Sequence, residues 1–161
     1  MPRRAALAFP LALAALLAAC GGNGAESPAG GDTRTEAATR EAVAVIEEWS
    51  EALTASDIDA AADLFAIPSV AENGIRIQIE SADDAALFNE SLPCGAELED
   101  TESAGGFTTA TFRLTTRPGV DACPGEGNTA QTTFVIEDGL IVEWRRVGLP
   151  GDGGGDRGRP V

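Results

Sequence analysis

Thr129-Ala130-Gln131-Thr132-Thr133-Phe134-Val135-Ile136-Glu137-Asp138-Gly139-Leu140-Ile141-Val142-Glu143-Trp144-Arg145-Arg146-Val147 reads as a β-hairpin. Thr132, Phe134 and Ile136 fall on one parity, the two-residue period of a strand with one buried face. Asp138-Gly139 supplies the turn, because glycine takes positive φ without steric cost and Asp-Gly suits a two-residue connection. Leu140–Val147 then returns as the partner strand. A hairpin this clear makes the C-terminal third antiparallel sheet.

Moving upstream, residues 107–116 are rich in Thr, with Phe112 and Leu114 on one parity and Arg113 on the other. Residues 96–102 are more weakly strand-like. Earlier still, the period changes from two to about 3.6. Ala42, Val45, Ile46, Trp49, Ala52 and Leu53 recur at three- and four-residue spacing, with Glu41, Glu47, Glu48 and Glu51 between them. That is a long amphipathic helix. Ser56 and Asp59 form a capping-box pattern for a second helix, whose stripe is Ala60, Ala61, Leu64 and Phe65 and which Pro68 stops. Residues 67–70 and 75–79 flank Glu72-Asn73-Gly74 as a short hairpin. Ser81 and Asp84 cap a third helix carrying Leu87, Phe88 and Leu92 up to Pro93. Helices followed by consecutive antiparallel strands make an α+β domain.

This order resembles the nuclear transport factor 2-like (NTF2-like), or SnoaL-like, superfamily. The residues carrying the resemblance are Trp49 and Leu53, the run Asp57-Ile58-Asp59-Ala60-Ala61-Ala62-Asp63-Leu64-Phe65, and the hairpin from Phe134 to Arg146. The resemblance implies a cone: a curved antiparallel sheet wrapped around a long N-terminal helix, with two shorter helices. It also implies one of two uses. Members include ketosteroid isomerase-like and polyketide cyclase-like enzymes and dehydratases, and many non-catalytic binding or assembly domains. The enzymes line the cone with a general base, usually Asp or His, and with Tyr or acid donors for an enolate oxygen. This chain has no His and no Tyr. The expected function is therefore non-catalytic binding of a small apolar ligand or of an envelope protein. The alternative is an isomerase, cyclase or dehydratase that uses an Asp or Glu in the cone. No cofactor is expected.

The N-terminus bears on location. Arg3 and Arg4 precede fifteen apolar positions, 5–19, too few for a membrane-spanning helix of about 20 residues. A positive start, an apolar stretch and small residues before a cleavage point make a signal peptide, residues 1–19. Leu17-Ala18-Ala19-Cys20 resembles a bacterial lipobox, which implies acylation of Cys20, palmitate included, and anchoring on the extracytoplasmic face of the cell membrane. Phe88-Asn89-Glu90-Ser91-Leu92-Pro93-Cys94-Gly95 and Cys123-Pro124-Gly125 look like an actinobacterial lipoprotein subgroup. With Cys20 lipidated, Cys94 and Cys123 are left to form a disulfide, a free thiol pair or a weak metal site. We expect the disulfide, and no metal.

Residues 20–36 read as a lipidated Cys and flexible tether, 37–148 as the domain, and 149–161 as a disordered Gly-rich tail. The formal charge is −15, which argues against nucleic acid as a partner. A homodimer through the sheet suits the fold class. The expected ligand-binding residues are the aromatics Trp49, Phe65, Phe88, Phe112, Phe134 and Trp144, with Arg113 preferred over Arg117, Arg145 and Arg146 as the partner of one acidic group. The same aromatics could equally be core, and the arginines could pair across strands with Glu97, Glu99, Glu137 or Glu143.

Overall fold

The computed structural model describes residues 29–148, with side chains from residue 34 onward. The signal peptide, Cys20 and the tail from residue 149 lie outside the described residues. The first helix, α1 (Ala29–Thr54), is longer than expected and begins inside the stretch read as tether. Extending a formed helix costs far less than starting one, so weak formers can join it. Its buried stripe is Ala42, Val45, Ile46, Trp49 and Leu53.

α2 (Ile58–Asp63) is capped by Asp57, whose carboxylate accepts from the Ala60 backbone N–H at 3.2 Å. The expected Ser56 cap is corrected here. Ser56 sits at φ 61 and its hydroxyl donates to the Pro118 carbonyl at 2.7 Å. Phe65 is also reassigned. It opens β1 (Phe65–Glu72) instead of closing the helix, and Pro68 falls within that strand, at a register shift between Phe65 and Val70 that spares a ladder bond. β2 (Arg76–Ile79) pairs antiparallel with β1. α3 (Ala82–Ser91) has the expected cap: the Ser81 hydroxyl accepts from the Asp84 N–H at 3.2 Å. The same hydroxyl, hydrogen-bonded to the Asp84 carboxyl, is the main cause holding that carboxyl below its ordinary pKa. Phe88 is buried, whereas Leu87 faces solvent.

β3 (Gly95–Ala104), β4 (Phe107–Thr115), β5 (Thr129–Glu137) and β6 (Leu140–Val147) follow as a meander. The six strands form one curved sheet in the order β2-β1-β6-β5-β4-β3. It is mixed, not wholly antiparallel, because β1 runs parallel to β6, with Ala71 opposite Trp144. Turn residues decide the direction of hairpin neighbours, but β1 and β6 meet across most of the chain. Register shifts within β1–β6, β3–β4 and β5–β6 bend the sheet around α1. Trp49 stands at the centre, edge-on to Phe112 of β4, Phe134 of β5 and Trp144 of β6, at centroid distances of 5.8, 5.5 and 6.1 Å. Cys94 and Cys123 form a disulfide that ties the start of β3 to the β4–β5 connection.

Candidate functional site

A cavity of about 100 Å³ lies where the C-terminal end of α1 meets the ends of β4 and β6 and the start of β5. Trp49 and Leu53 of α1 line it together with Phe112, Leu114 and Trp144 of the sheet. Leu92, Pro93 and Cys94 close it on the α3 side, next to the disulfide. Its polar lining is Asn73, Thr132 and Arg146.

The Trp49 indole is held in place. Its N–H donates to the Asn89 side-chain oxygen at 2.8 Å, and the Asn89 amide donates to the Ala85 carbonyl at 2.8 Å. Asn89 is fully buried, so each polar atom needs a partner there. Arg117, 2% exposed, caps the C-terminal end of α3, donating to the carbonyls of Asn89, Glu90 and Leu92, the last at 2.7 Å. A cation at a helix C-terminus is electrostatically favoured. Burial pushes its pKa down, and the nearby Glu90 charge opposes that shift. Arg117 is therefore a structural clamp, not a ligand group.

The nominated residues separate into three groups. Trp49, Phe112 and Trp144 line the cavity. Phe65, Phe88 and Phe134 do not. They fill the core behind it, with Phe88 edge-on to both Phe65 and Trp144 at 5.7 and 5.1 Å. Arg113 is on the wrong face. Because Phe112 points inward, strand alternation turns Arg113 outward, where its half-exposed side chain pairs with Glu99. Arg145 likewise pairs with Glu143 and, at 3.6 Å, with Glu72. The cation at the cavity is Arg146. It shares parity with Trp144, two residues away, and that spacing was the signal available in the sequence.

No protein-family model matches the chain, and no curated protein matches it. Solved structures do. A protein of Sinorhizobium meliloti described as a polyketide cyclase superposes with a TM-score of 0.51 at 23% identity, over 64% of this chain and 93% of its own. One of Kribbella flavida, described as a ketosteroid isomerase, gives 0.53 at 17% identity, over 66% and 76%. An NTF2-like protein of unknown function from Cytophaga hutchinsonii gives 0.51 at 13% identity, over 67% and 89%. The fold is NTF2-like. Likeness at these identities carries the NTF2-like architecture and not the chemistry.

In this NTF2-like cone the chemistry must come from the lining. Among the described residues no Asp or Glu is buried, and none lines the cavity. Glu72, Asp84, Glu99 and Glu143 have partly enclosed carboxylates, and each already has a partner: Arg145 for Glu72 and Glu143, Ser81 for Asp84 and Arg113 for Glu99. The Trp144 indole N–H is buried without a hydrogen-bond partner. The site can thus enclose apolar surface and offer donors, but it presents no base.

Proposed function

We propose that this chain is a lipid-anchored, extracytoplasmic NTF2-like domain that holds a small, mainly apolar molecule in its cone without converting it. The observation that carries the reading is the cavity itself: indole, phenyl and leucine walls, with no carboxylate in the lining. Burying apolar ligand surface there would contribute about 25 cal/mol per Å². The lipobox-like Leu17-Ala18-Ala19-Cys20 supports the location. The alternative, an isomerase, cyclase or dehydratase, is favoured by the names of two structural neighbours. It requires a general base at the cavity, where none is placed.

Both tryptophans of the chain line the cavity, so intrinsic fluorescence reports on it directly. Titration with a neutral probe, phenylacetamide, is expected to give a saturable change in emission. A linear response both to it and to its charged analogue phenylacetate, equal to that of free tryptophan, would remove the binding reading. The anchor is tested separately. Two acyl signals suffice for stable attachment, so Cys20→Ser is expected to leave the membrane fraction or to remain uncleaved. Normal processing with unchanged fractionation would count against it.

A further inference from the structure

We infer that the ligand of this cavity is a small monocarboxylate, its acid group paired with Arg146 and its apolar body against the two indoles. The inference rests on the binding reading above and narrows it to one chemical class.

Arg146 and Trp144 leave the same face of β6, about 7 Å apart along the strand. The register sets Arg146 opposite Thr132 of β5, another lining residue, so the guanidinium stands at the rim of an apolar hollow. Its neighbour Arg145, on the other face, engages two glutamates. The Arg146 side chain has no ion pair or hydrogen bond among the described residues. Acidic residues are plentiful in the chain, 26 against 11 basic, yet no described one forms an ion pair with it. The planar fork of a guanidinium matches the two oxygens of a carboxylate.

Trp144 is 4% exposed and its indole N–H is shut off from solvent, so this side chain offers the ligand apolar wall and not a hydrogen bond. Charge and size limit the ligand further. A formal charge of −15 opposes a multiply charged anion, and a cavity of about 100 Å³ suits one ring or a short chain.

The test compares phenylacetate with phenylacetamide, which share shape and differ in charge, by tryptophan fluorescence of the purified full chain. Phenylacetate is expected to bind about tenfold more tightly at low salt, with the preference shrinking as salt rises. Arg146→Gln is expected to bring the two probes to equal affinity, with Tm unchanged. Arg146→Lys should keep part of the preference, and Arg113→Gln all of it. Equal affinity for the two probes overturns the carboxylate assignment and leaves the binding reading standing. A preference that survives in folded Arg146→Gln also overturns it. Saturable binding of neither probe removes both.

Discussion

Trp49→Ala is expected to lower the unfolding free energy by about 4 kcal/mol, as removal of a large buried aromatic typically does. Domains of this kind are stable by only about 5–15 kcal/mol, so the variant should sit near the limit of folding. Trp49 is 1% exposed and packs against an aromatic from each of three strands, so the loss is not local to α1. Trp49→Phe separates the two contributions. It keeps most of the packing but leaves the Asn89 oxygen without its donor, at a cost of about 1–3 kcal/mol. Urea midpoints for the two variants check this. A Trp49→Phe protein as stable as the parent would mean that the Asn89 bond contributes nothing.

Opening the disulfide should come close to the first effect. Cys94 and Cys123 are separated by 29 positions, and freeing a loop of that size costs about 3–4 kcal/mol on the chain-entropy model. Paired Cys94→Ala and Cys123→Ala substitutions are expected to lower the unfolding free energy by that amount, read as a lower urea midpoint, and addition of reductant to the parent should do the same. Two alkylatable thiols in the unreduced, unfolded protein would show that the bond is absent. The β4–β5 connection retains other ties: the Cys123 N–H donates to the Thr116 hydroxyl at 3.1 Å, and the Gly127 N–H donates to the Leu114 carbonyl at 2.8 Å. Reduction should therefore loosen this connection without melting the sheet.

Legibility followed the range of the interactions concerned. The β5–β6 hairpin was readable to both ends because alternation and Asp138-Gly139 are local signals. Phe65 was misplaced because a short apolar run such as 60–65 fits helix and strand periods alike, and its partner Ile141 is distant in sequence. The parallel β1–β6 pairing left no local trace. The aromatics of the core were all recognisable, but which of them line the cavity depends on sheet curvature, set by bulges that no residue type announces. Asn89 was invisible as the partner of Trp49, 40 positions away. The Arg113 assignment was avoidable: a residue between inward-facing Phe112 and Leu114 must face out, and the same rule puts Arg146 with Trp144.

α1 also works as a mast. It holds the point where the chain enters the domain, Ala29, and the cavity wall at Trp49 on one rod of 26 residues. At about 1.5 Å per residue the two points stand about 30 Å apart. Whatever grips the N-terminal end, the hollow is kept that far from it, roughly the thickness of a bilayer's hydrocarbon core. That span lifts the hollow clear of a surface only with α1 upright; laid along the surface, the same rod sets the hollow beside it.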